Sequence, residues 1–189
     1  MKKWVVFGGL SLCTGLAQAH TGHGAMSFFD GLAHPFGWDH LLAMVAVGLW
    51  SARGFTGVAR WIAPLTFVLF LVLGACLTRM SSFEWAAAEW LISLGVVVFS
   101  IILAFPKIPK FWGLMLIGCA GIAHGWVHGL EAAEGSVFAI YVLGFVLTSS
   151  LLHGVGVYFG SRLLSAQLWV WRMLAVAMGS CGMWFLSTM

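Results

Sequence analysis

The 189-residue chain is 61% hydrophobic and 8% charged, with a mean hydropathy of +1.00, whereas soluble domains carry about 25% charged residues. A soluble fold of this size cannot hide that much apolar side chain, so lipid is its solvent. The formal net charge of +3 is spread along the chain, and without a basic patch nothing points to nucleic acid.

The first nineteen residues read as a separate unit. Lys2 and Lys3 form a basic start, Trp4 to Leu16 a short apolar core, and Ala17-Gln18-Ala19 a small-residue cleavage site. Gly8, Gly9, Ser11, Thr14 and Gly15 dilute a core already too short to cross a bilayer. We therefore expect a cleaved signal peptide, export across a bacterial-type inner membrane, and a mature N-terminus at His20. Cys13 does not mark a lipoprotein, because Leu12 stands where a small residue is needed. The mature start, HTGH, offers a loose metal trap through the α-amine and imidazole of His20 with His23 nearby; a disordered polar tail is the alternative.

Residues 20–189 read as one all-α domain of about six transmembrane helices. A bilayer core of about 30 Å needs about 20 apolar residues per helix, and such stretches fall near 33–52, 62–79, 86–105, 111–130, 136–159 and 168–187. Pro35 suits the first turn of span one, where a missing N–H costs nothing. Pro106 and Pro109 bracket the third loop. Arg53, Arg60, Lys107, Lys110 and Arg162 sit in or beside the first, third and fifth loops, whereas the even loops hold Arg79 with Glu84, Glu131 and Glu134. The positive-inside rule makes the odd loops cytoplasmic and both mature termini periplasmic. The signal peptide independently puts the N-terminus on that side.

On this map the ionisable residues gather in the outer leaflet. His34, Asp39 and His40 open span one, Glu89 lies in the first turns of span three, and His124, His128 and Glu131 lie at the outer end of span four. Ionisable groups inside a membrane default to a functional reading. His124, His128 and Glu131 stand at i, i+4 and i+7, hence on one helical face. Imidazole and carboxylate aimed at one point suit a borderline divalent metal such as nickel, cobalt or zinc. Met44, one turn below His40, reads as core packing rather than a thioether ligand, and Glu84 and Glu134 as solvated loop charges. His153, alone in the inner half of span five, is either a hydrogen bonder to a neighbouring helix, the favoured reading, or a deeper step on a metal path.

Gly121, Gly125 and Gly129 repeat every four residues on span four, a ridge that lets another backbone come close; Gly154, Gly156 and Gly160 offer the same on span five. Cys76, Cys119 and Cys181 are scattered without a C-x-x-C pair and read as small buried hydrophobes. The local echo GWDH (37–40) and GWVH (125–128) falls on one side of the membrane. An inverted repeat would place its copies on opposite sides, so the echo is coincidence or similar site chemistry.

Two motifs, H-x-x-x-x-D-H at His34–His40 running on as LLAMVAVGLW, and H-G-x-x-H-G-x-E at His124–Glu131, resemble the HupE/UreJ family of nickel/cobalt permeases. The resemblance extends over essentially the whole chain. It implies a six-helix secondary permease for Ni²⁺, sometimes Co²⁺, that serves hydrogenase or urease maturation. It maps the family's motif ligands onto His34, Asp39, His40, His124, His128 and Glu131, with Glu89 at the acidic position of span three.

The expected function is therefore transport rather than catalysis, with no permanent cofactor, the metal ion as cargo, and the lipid bilayer as surroundings. No Gly-Lys pair occurs, so there is no Walker A site, and nucleotide is not the expected motor. Two rival readings remain. A haem-binding electron-transfer subunit could take axial imidazoles from His40 and His124. An intramembrane metal-dependent hydrolase could use Glu131 as base, although no H-E-x-x-H is present. The choice among nickel, cobalt and zinc, proton coupling and the oligomeric state stay open at this level.

Overall fold

The computed structural model describes residues 27–80, 87–105, 107–132 and 138–188. The expected signal peptide, His20 and His23 lie outside the described residues, as do Glu84 and Glu134. Among the described residues there is no β-strand. The elements are α1 (Phe28–Ala33), a 3₁₀ turn (His34–Phe36), α2 (Trp38–Gly54), a second 3₁₀ turn (Gly57–Trp61), α3 (Ile62–Thr78), α4 (Ala88–Ala104), α5 (Lys110–Glu131), α6 (Phe138–Arg162) and α7 (Leu168–Thr188). Each of the six expected spans has its helix, α2 to α7 in order. Four stretches, Gly57–Thr78, Lys110–Leu130, Phe138–Arg162 and Leu168–Thr188, are long and apolar enough to cross a membrane, and Trp90–Ala104 is a shorter apolar helix. The chain is an all-α, multi-pass membrane protein.

The first span starts later than its hydropathy suggests. Pro35 lies in the 3₁₀ turn rather than in α2, and Gly37, with ψ of 136°, leaves helical geometry before α2 begins at Trp38. Proline supplies no N–H to continue a ladder from α1, and although His34 itself keeps helical dihedrals (φ −56°, ψ −47°), the chain leaves the helix at Gly37. The separate α1 is closed by a capping box: the Ser27 hydroxyl accepts from the Asp30 N–H, and the Asp30 carboxylate accepts from the Ser27 N–H. α1 docks on α6, where Gly31 meets the Tyr141 carbonyl and the Thr148 hydroxyl donates to the Leu32 carbonyl at 2.9 Å. That docking holds the His34 turn against the bundle.

The bundle is built from three closely packed pairs: α3 with α5, α2 with α6, and α4 with α7. The expected glycine ridge on α5 meets α3. A Cβ on Gly121 would come within 2.7 Å of the Phe67 carbonyl oxygen, and one on Gly125 or Gly129 would collide with the Leu71 carbonyl or the Thr78 hydroxyl. The contacts rise together, 67 with 121 and 71 with 125, so α3 and α5 run parallel. On α6, Gly156 packs against Gly48, and Gly160 against Leu49 and Ala52, so α2 and α6 are parallel too. Gly154 makes no such close approach; only the Trp61 ring lies near it. Without a hydrophobic driving force between helices in lipid, close backbone contact of this kind supplies the association. Gly125→Ala is expected to lower the melting temperature of the purified protein in detergent, by about 1–3 kcal/mol of overpacking. Gly54→Ala, where a Cβ would meet open space, should leave it unchanged.

The outside of the bundle is apolar as well. Leu65, Leu69, Leu73 and Leu77 form an exposed i, i+4 stripe on α3, and Leu143, Leu147 and Leu151 another on α6. Cys76, Cys119 and Cys181 are free and exposed on this outer surface, not buried as expected. Lipid accepts a thiol as readily as a core does, so their apolar neighbours did not reveal the side they face. The basic residues are anchored at one end. Arg53 donates to the Leu103 carbonyl at 2.7 Å and lies over the Trp171 ring, while Arg60 donates to the Phe55 carbonyl and to the Ser161 hydroxyl. Arg79, at the other end, donates to the Ala132 carbonyl at 3.1 Å and covers the Phe138 ring.

Candidate metal centre

The end of the bundle opposite the basic cluster collects the histidines. α2 begins there, α5 ends there, and the 3₁₀ turn lies beside both, so His40, His128 and His34 arrive from three separate elements. One nitrogen from each of these imidazoles lies within 4.8 Å of the others. The His34 and His128 ring centroids are 4.4 Å apart, and those of His40 and His128 5.1 Å. Three nitrogens sharing one ion at about 2.1 Å each would stand about 3–4 Å apart, which small side-chain rotations reach from here. His40 and His128 are the histidines of the GWDH and GWVH echoes, so the echo brings two imidazoles to one place.

His40 is held in a defined orientation. Its backbone N–H donates to Asp39 Oδ1 at 2.8 Å, and its Nδ1–H donates to the same oxygen at 2.9 Å. The bare lone pair is then on Nε2, which has no partner among the described residues. A carboxylate behind a ligating imidazole fixes the tautomer and raises the basicity of the other nitrogen. Asp39 thus sits behind His40 rather than beside His128, a distinction the adjacent positions in sequence leave undecided. His124 continues the line: its ring contacts that of His40 at 5.0 Å, and its Nδ1–H donates to the Ala120 carbonyl at 2.8 Å. Its Nε2 is also without a partner among the described residues. His40, His124 and His128 are buried, with relative exposures of 2%, 0% and 0%.

The backbones of Glu89 and Glu131 belong to α4 and α5, but their side chains lie outside the described part of the structure. Met44 is fully buried in the apolar core, as expected of a packing residue. Two aromatic residues that sequence reasoning passed over frame the site. Phe145 on α6 stacks on His128 at 4.7 Å and 22°, and Phe67 on α3 contacts His124 at 5.1 Å. Neither carries a motif, and only the packing of α3 and α6 brings them here.

His40 and His124 meet edge to face at 80°, with no slot between them for a macrocycle, so the geometry disfavours the haem reading. The arrangement is a set of imidazoles, backed by a carboxylate, able to take a borderline divalent cation.

Comparison with known proteins gives the chain its family. The family model described as HupE / UreJ protein matches residues 9–185. Protein HupE of Rhizobium leguminosarum bv. viciae is 38% identical over 144 residues, which cover 75% of this chain and 74% of that protein. No solved structure matches the chain. With both motifs in place and nearly the whole length matched, the chain belongs to the HupE/UreJ family.

Proposed function

We propose that the protein is a secondary permease that carries a divalent transition metal, Ni²⁺ first and Co²⁺ second, across the inner membrane for hydrogenase or urease maturation. The observation that carries this reading is the convergence of His34, His40 and His128 within 4.8 Å at one end of an otherwise apolar bundle. The positive-inside rule assigns the opposite, arginine-rich end to the cytoplasm, which puts the imidazoles at the periplasmic mouth. There a hydrated cation exchanges water for nitrogen, with Asp39 supplying charge through His40 and His124 taking the ion one turn deeper. Glu89 and Glu131 are the acids that join this set, and His20 with His23 the looser trap outside it.

The test is uptake of radioactive nickel by a strain lacking its own nickel transport, with cobalt and zinc as competitors. Nickel accumulation above the empty strain, displaced by cobalt, is expected; no accumulation would remove the proposal. Asp39→Asn is expected to weaken nickel binding to the purified protein about 10- to 100-fold, read by calorimetry in detergent. An unchanged affinity would mean that the carboxylate does not tune His40.

A further inference from the structure

His153 is fully buried near the middle of α6, and the outer site does not use it. The favoured sequence expectation, a hydrogen bond to a neighbouring helix, is not what the structure shows. The Nδ1–H donates to the Ser149 carbonyl of its own helix at 2.6 Å, and Nε2 has no partner among the described residues. His124 is dressed in the same way, with Nδ1–H on the carbonyl four residues earlier and Nε2 bare. An uncompensated buried nitrogen of this kind is costly, and among the described residues the Nε2 lone pairs of His124 and His153, like that of His40, are left for an ion.

The two imidazoles share one neighbour. The Phe67 ring lies 5.1 Å from the His124 ring and 4.9 Å from the His153 ring. Depth follows from the parallel packing of α2 and α6. The His153 carbonyl lies against Gly48, eight residues beyond His40, or about 12 Å along the helix axis. Ser149, on the same face of α6 one turn away, adds a buried hydroxyl with no partner among the described residues. We propose that His153 is a second, inner station for the transported cation, reached from His124 past the Phe67 ring. This rests on the permease reading.

One imidazole with a hydroxyl nearby makes a poorer site than the outer cluster, as transit requires. An inner station must hold the ion well enough to receive it and weakly enough to release it. Phe67 borders both imidazoles.

The proposal is tested on the full chain reconstituted in liposomes, with radioactive Ni²⁺ as the probe and both equilibrium binding and uptake rate measured. His153→Asn keeps a donor for the Ser149 carbonyl and removes the Nε2 lone pair. It is expected to retain outer-site binding while uptake falls at least about tenfold. His153→Gln, which places an amide near the lost Nε2, should recover part of the rate and serves if the asparagine variant does not fold. Uptake within twofold of wild type in a folded asparagine variant would overturn the inner station and leave the permease reading standing. Absence of uptake by the wild-type protein itself would instead overturn the permease reading, and the inner station with it.

Discussion

His40→Ala is expected to abolish nickel uptake, down at least about 100-fold, while the protein still reaches the membrane. The expectation follows from what the imidazole touches. His40 is in ring contact with His34, His124 and His128, so its loss removes the shared ligand between the outer three-nitrogen cluster and the next histidine down. It also leaves the Asp39 carboxylate without its imidazole donor, in a place where an unpaired charge is expensive. Outer-partner changes alone cost metal sites about 10- to 100-fold, and loss of a ligand should exceed that. His124→Ala should act differently: nickel still binds at the mouth through His34, His40 and His128, but uptake falls. The check is parallel measurement of nickel binding and uptake, with membrane levels of each variant scored by immunoblot. If both alanine variants accumulated nickel within twofold of wild type, these imidazoles would not lie on the path.

Dissipating the membrane potential is expected to collapse accumulation. A dication moving inward gains roughly 4.6 kcal/mol per 100 mV, enough for about a two-thousandfold concentration ratio at about 1.4 kcal/mol per decade. The sequence has no Gly-Lys pair for a nucleotide loop. Liposomes carrying the protein should therefore load nickel when a potassium gradient with valinomycin makes the interior negative, and only equilibrate when it is clamped at zero. Equal accumulation above the external concentration under both conditions, without a proton gradient, would refute potential-driven transport.

The sequence by itself determined that lipid is the solvent and where the helices run. Low charge and long apolar stretches leave a chain no other way to satisfy its backbone. The expected spans 62–79, 111–130 and 168–187 accordingly match helices at Ile62–Thr78, Lys110–Glu131 and Leu168–Thr188. The glycine spacing on α5 was legible for the same reason: a four-residue repeat stays on one face whatever it meets.

What it meets was not legible. That α3 packs parallel to α5, and α2 to α6, depends on backbone contacts between segments more than fifty residues apart, such as Leu71 with Gly125. Hydropathy gave no sign of the cysteines' outward direction, because core and lipid are equally apolar. The tertiary structure also decided the roles within the site. It turned His34 onto a separate 3₁₀ turn, set Asp39 behind His40, and brought Phe145 and Phe67 against the histidines. It left the Nε2 of His153 without a partner among the described residues. Spacing along a helix fixes which face a side chain occupies; only the packing of one helix on another fixes what that face confronts.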